Sequence, residues 1–136
     1  MISIAYIIQD LYLGGIPTIL LNLSSNMREQ FNFHFIATEN PLINPQFNAL
    51  GRASYFGDDW GKITQYLVDN NIQIVQYGNK QEYLTVAKNA GVPIIIERTA
   101  GPRSCGLNRS GVTHVIASTK GTIQLIRKNY TGDITL

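Results

Sequence analysis

Ile2-Ser3-Ile4-Ala5-Tyr6-Ile7-Ile8, then Gln9 to Gly15, then Ile16-Pro17-Thr18-Ile19-Leu20-Leu21-Asn22-Leu23-Ser24-Ser25-Asn26-Met27: across these residues the apolar period changes from that of a strand to that of a helix. The first run is short, rich in isoleucine and nearly continuously apolar, as a strand covered on both faces is. The second places Ile16, Ile19, Leu20, Leu23 and Met27 three and four apart, which predicts one buried helical stripe. Pro17 falls in the first helical turn, where its missing N–H costs nothing. Gly14 and Gly15 sit at the join. A strand, a glycine turn and a helix in this order aim unpaired backbone N–H groups and the positive helix end at one spot, an arrangement suited to an anionic group such as a phosphate. The same glycines also serve if all they do is reverse the chain. Neither G-x-G-x-x-G nor G-x-x-x-x-G-K-[ST] occurs, so neither a dinucleotide nor a P-loop nucleotide is supported.

The alternation continues outward from that stretch. Phe33 to Thr38 reads as a second strand, with Asn32 and His34 on one face and Phe33 and Phe35 on the other. His34 is read as a structural or surface histidine. After a loop with Pro41 and Pro45, Gln46 to Leu50 forms a helical turn stopped by Gly51, and Ala53 to Phe56 a third strand. Asp58 or Asp59 caps the next helix, whose buried stripe is Trp60, Ile63 and Leu67; no further carboxylates follow at metal-ligand spacing. Ile72 to Tyr77 is the fourth strand, and Gly78-Asn79 leads into a helix stopped by Gly91. Pro93 to Thr99 is the fifth. The segment from Ala100 to Gly111 has no period and carries Gly101, Pro102, Arg103, Gly106 and Arg109, so a loop is expected. Thr113 to Ala117 is the sixth strand. Ser118 or Thr119 caps a helix running to Tyr130, with Ile123 and Ile126 inward, and Asp133 to Leu136 begins another strand.

Strands and helices alternating at this spacing predict a single three-layer α/β/α domain: Rossmann-like, doubly wound, with a mainly parallel sheet of six to seven strands. Ligands of such sheets bind beyond the carboxyl ends of the strands. That edge is expected to bring together Gln9 to Gly15, Gly78-Asn79, Glu97 to Thr99 and Ser118.

The totals bound the function. The 136 residues suit one domain. Apolar residues are 44% of the chain and charged ones 15%, a globular composition. No apolar run approaches the roughly 20 residues of a membrane span. Met1 leads straight into the first strand without a secretory leader, so a cytoplasmic location is expected. The lone Cys105 agrees, since it can form no intrachain disulfide. The net charge of +2 divides unevenly: three basic against six acidic residues up to Asn79, eight against three from Lys80 onward. The basic residues lack the aromatic interleaving and recognition helix of a nucleic-acid binder.

The pieces in order are L-x-x-G-G followed by I-x-x-L-L-x-L, then N-I-Q-I-V-Q-Y, A-G-V-P-I-I-I-E-R-T and H-V-I-A-S-T-K. Over essentially its whole length the chain resembles the N-terminal domain of GT-B retaining glycosyltransferases of family four (group 1). The resemblance implies that Gly14 and Gly15 lie against the diphosphate of a nucleotide-sugar donor. It implies an acceptor site, for a sugar or lipid-linked acceptor, drawn from Gln9, Asp10, Leu13, Asn79, Arg98, Thr99, Arg103 and Arg109. It calls for no cofactor and no metal, and no catalytic residue is assigned. Arg103 and Arg109 suit an acceptor phosphate or peripheral contact with an anionic membrane; a solvated loop is the simpler reading.

The chain departs from the family at Pro17, where an acidic residue is usual, and at the ends of the fourth and fifth strands. There Gln76 or Gly78, and Arg98, replace histidines. Arg98 is read either as a phosphate ligand or as the ion-pair partner of Glu97 or a loop carboxylate. The family's E-x7-E segment, which grips the donor in a second domain, is missing: eight residues after Glu82 stands Ala90, and eight after Glu97 stands Cys105. The chain is therefore expected to be a shortened piece of a transferase, inactive by itself. The rival expectation is a non-catalytic Rossmann-like ligand-binding or regulatory module.

Overall fold

The computed structural model describes residues 1–78, 80–99 and 107–136. Seven strands form one sheet: β1 (Ile2–Ile8), β2 (Phe31–Ala37), β3 (Gly51–Tyr55), β4 (Ile74–Tyr77), β5 (Ile94–Thr99), β6 (His114–Ala117) and β7 (Asp133–Thr135). Their order is β3-β2-β1-β4-β5-β6-β7, and every pairing is parallel. The helices are α1 (Gly15–Met27), α2 (Gln46–Leu50), α3 (Trp60–Asp69), α4 (Gln81–Asn89) and α5 (Lys120–Ile126). The expected α/β, Rossmann-like doubly wound sheet is thus the observed one.

Strand alternation sorts the core into layers. Ala5, Ile7, Ile36, Val75, Tyr77 and Ile95 pack with Ile63 and Leu67 of α3 and Leu84 and Ala87 of α4. On the other face Tyr6, Phe33 and Phe35 stack in near-parallel array and meet Leu20 of α1 and Phe47 of α2. A smaller cluster joins Val115 to Ile126 and Tyr130.

Two local expectations, on α1 and on the length of the last helix, are corrected, and two caps are chosen between the alternatives offered. The buried line of α1 is Pro17, Leu20 and Ser24, while Ile19 is exposed. Both lines have helical spacing, so periodicity alone left the rotation open. Ser24 takes the third buried position, although its Oγ has no hydrogen-bond partner there. The last helix ends at Ile126, and Tyr130 folds back to donate its hydroxyl to the Val112 carbonyl. Its cap is Thr119, which accepts from the Thr122 N–H at 3.1 Å. Asp59 accepts from the Lys62 N–H at 3.0 Å, so capping accounts for one acid of that pair.

His34 is buried, and its Nδ1 lies 2.6 Å from the Tyr66 hydroxyl. Burial first, and the Arg52 charge second, hold its imidazole below the ordinary histidine range. Below about pH 6.5 the unfolded chain then binds a proton that the folded chain refuses. Stability contributed by His34 is complete above that point and is lost as pH falls toward the lowered folded value. Urea midpoints at about pH 7.5 and about pH 5.5 should therefore differ, and His34→Gln should narrow the difference. An unchanged difference in the variant would place the acid sensitivity elsewhere.

Candidate functional site

Strand order reverses between β1 and β4. The chain builds outward through β2 and β3, then returns to the other side of β1. The connections leaving the two adjacent strands at a reversal point go to opposite faces of the sheet and leave a crevice beyond the carboxyl ends. This one is lined by Tyr6, Ile8 and Gln9 of β1 and its exit, Ile16 and Leu20 of α1, Gln76, Tyr77 and Gly78, and Arg98 of β5. It encloses about 30 Å³, room for one water-sized group.

The turn above it is built by Asp10. Its carboxylate accepts from the N–H groups of Tyr12 (2.6 Å) and Leu13 (3.3 Å) and from the Asn40 side chain (3.2 Å). Burial raises the Asp10 pKa, but these three donors outweigh it and hold the acid below its usual range. Leu11 is buried and bridges to Ile43, which sets the loops after β1 and β2 side by side. Tyr12, Leu13 and Leu42 are left exposed on these loops.

Gly14 then takes φ 123° and ψ 178°, a conformation open essentially to glycine alone. It makes the sharp entry to α1, whose start has no side-chain cap. Gly15 begins the helix, and a Cβ added there would meet nothing within 4 Å. The space over Gly15 is open, and the first amides of the helix lack intrahelical partners. Gly78 answers a different demand: a Cβ there would lie 2.8 Å from the Arg98 carbonyl oxygen, so the exit of β4 passes against the backbone of β5.

Of the residues expected at the site, Gln9 and Arg98 line the crevice, and Asp10 and Leu13 belong to the turn beside it. Gly14 and Gly15 adjoin Ile16, which lines it. Asn79 and Arg103 lie outside the described residues. Thr99 and Arg109 are buried and do not line it. Arg109 forms a two-pronged ion pair with Glu97, Nε to Oε1 and Nη2 to Oε2, each 2.9 Å, and both side chains are shut off from solvent. Tyr77 donates to the same carboxylate at 3.2 Å, and burial first, then the Glu97 charge, drive its pKa upward. Asn108 is held besides by a reciprocal pair of bonds to the Gln81 amide. So Glu97 is spoken for by Arg109, and Arg98, its neighbour in sequence, faces the other side of the sheet.

Sequence reasoning missed Tyr6 as a crevice residue, and placed Gln76 only as a substitute for a family histidine. Their pairing in register, Tyr6 opposite Gln76, is what puts them together under α1. The signal was the same-face alternation within each strand. What it lacked was the pairing of β1 with β4.

No protein-family model matches the sequence, and no curated protein matches it. Solved structures do. The apo form of the lipopolysaccharide outer core galactosyltransferase WaaB is similar over 99% of this chain and 45% of its own, at 13% identity and TM-score 0.75. A mutant of the Thermobaculum terrenum O-GlcNAc transferase is similar over 98% and 27%, at 13% identity and TM-score 0.71. Acinetobacter baumannii MurG is similar over 98% and 44%, at 10% identity and TM-score 0.71. The likeness is one of fold, shared with GT-B glycosyltransferases, and the chain spans less than half the length of each. No helix among the described residues is long and apolar enough to cross a membrane.

Proposed function

We propose that the chain is the N-terminal, acceptor-side half of a GT-B retaining glycosyltransferase of family four, which works with a second lobe that grips a nucleotide-sugar donor. The observation that carries this reading is the turn at Gly14-Gly15. An uncapped helix start with open space above it stands beside a switch-point crevice. In the two-lobed enzyme the donor diphosphate lies over Gly15, where backbone N–H groups stabilise the charge that develops on the leaving group. Gln9, Arg98 and the Asp10-braced turn face the acceptor. The exposed Tyr12, Leu13 and Leu42 at the rim suit the apolar face of a sugar or of a lipid-linked acceptor. Arg109 serves this half by fixing Glu97 rather than by touching a ligand.

The test is a titration of the chain with a nucleoside diphosphate, followed by the backbone amide resonances in nitrogen-edited NMR. The expected result is saturable displacement of the Gly15 and Ile16 amides. Displacement elsewhere with these two unmoved would defeat the reading and favour a ligand-binding module of another kind.

A further inference from the structure

Arg98 is charged at any physiological pH, yet no group among the described residues answers that charge. Its Nε is sealed from solvent and has no hydrogen-bond partner. The ion pairs formed are Lys80 with Glu39 and Arg109 with Glu97, and neither involves it. Glu97 projects from the opposite face of β5, so alternation denies Arg98 the carboxylate next to it in sequence. Arg98 as a whole is only half-buried, so what lacks an acceptor is the sealed Nε–H, and a ligand or water there would supply it.

The surroundings narrow the ligand. Beside Arg98 the crevice is lined by Tyr6, Gln9 and Gln76 together with the apolar Ile8, Ile16 and Leu20. A phenol and two amides can each donate, and no carboxylate lines the space to repel an anion. Burial pushes the Tyr6 pKa up, with the Arg98 charge pulling against it, so this hydroxyl stays protonated. At about 30 Å³ the crevice admits the oxygen end of a group, not a sugar ring. The rest of the ligand must lie outside, toward the rim of Tyr12 and Leu13.

We propose that the switch-point crevice is an anion subsite, in which the Arg98 guanidinium, helped by Tyr6, Gln9 and Gln76, takes an oxygen of a phosphate or carboxylate group carried by the acceptor. That the ligand is an acceptor rests on the transferase reading; that it is anionic does not. The subsite lies next to the turn at Gly15, with Ile16 at the border of both, and is formed by side chains rather than by helix amides.

Two anions and a neutral control test it on the chain itself. Inorganic phosphate, acetate and glucose are titrated separately while the Nε–Hε resonance of Arg98 is followed by nitrogen-edited NMR. Phosphate or acetate should move that resonance saturably, and glucose should not. The anion with the tighter response identifies the group. Arg98→Gln should weaken anion binding roughly tenfold or more, and Arg98→Lys by several-fold, because an ammonium keeps the charge but not the planar fork. Should Arg98→Gln fail to fold, the parent resonance still decides. An Arg98 signal indifferent to both anions, which means that water alone fills the crevice, overturns the proposal. So does a response confined to the exposed Lys120, Arg127 and Lys128, or equal binding by Arg98→Gln. A nucleoside diphosphate that leaves Gly15 and Ile16 unmoved while anions still move Arg98 removes the transferase reading and leaves the anion subsite standing.

Discussion

Arg109→Ala is expected to lower the unfolding free energy by about 3–5 kcal/mol, the cost of leaving a buried charge uncompensated. For a domain of this size that is a fall of roughly 10–20 °C in Tm. Glu97 is fully buried and receives both prongs of Arg109 as well as the Tyr77 hydroxyl. Without the guanidinium the carboxylate keeps a single described donor, far from water. The size of the effect says little about the net worth of the pair, because removing both charges is a different experiment. Glu97→Leu combined with Arg109→Met keeps much of the volume and should recover most of the loss, a strongly non-additive result. Chemical denaturation of the two single variants and the double variant measures it. A loss below about 1 kcal/mol for Arg109→Ala, typical of an exposed pair, would mean that the pair is open to solvent.

This ion pair also prepares the crevice. Glu97 and Arg98 are adjacent on β5, so fixing one toward α4 obliges the other to face α1. Tyr77 and Gln76 divide in the same way one strand over: Tyr77 bonds Glu97, while Gln76 stands level with Tyr6. A polar network on one face of the sheet thus sets the side chains of the other. The passage of Gly78 against the Arg98 carbonyl locks the two strand exits together.

The layers of the fold were legible because strands buried on both faces read as apolar runs, and because glycines and caps punctuate the helices. Ile4, Tyr6 and Ile8 against Ala5 and Ile7 already contain the division between the two faces. Long-range partners were less legible. Nothing local distinguishes Arg109 in a glycine-rich loop from a solvated arginine; its partner is set by the register of β5 and by where residues 107–111 come to rest. Ser24 was unreadable for a related reason, since a serine counts as polar in any periodicity, yet here it is buried with its Oγ unbonded. Arg98 could be placed at a strand end from sequence, but the choice between Glu97 and a ligand required knowing which face Glu97 takes.

The glycine pair offers the sharpest separation of stability from binding. Gly14 occupies a backbone region that alanine enters only at a cost of about 1–3 kcal/mol, although its Cβ would meet nothing closer than Pro17 Cδ at 3.8 Å. Gly14→Ala should therefore destabilise the chain by about that amount, through conformation rather than contact. Gly15 is already helical, with open space where a side chain would project. Gly15→Ala should leave stability unchanged or raise it by about 0.4–1 kcal/mol, because the unfolded chain loses freedom while the folded chain gains no clash. If a diphosphate lies over this turn, the methyl group occupies its place. The more stable variant should then lose the nucleoside diphosphate response at Ile16 that the parent chain shows, by roughly tenfold or more in apparent affinity. Thermal melts and the NMR titration, run on both variants, give the two readouts. A Gly15→Ala chain that binds as well as its parent would mean that glycine is there for the turn alone, and the donor would have to be sought elsewhere on the rim.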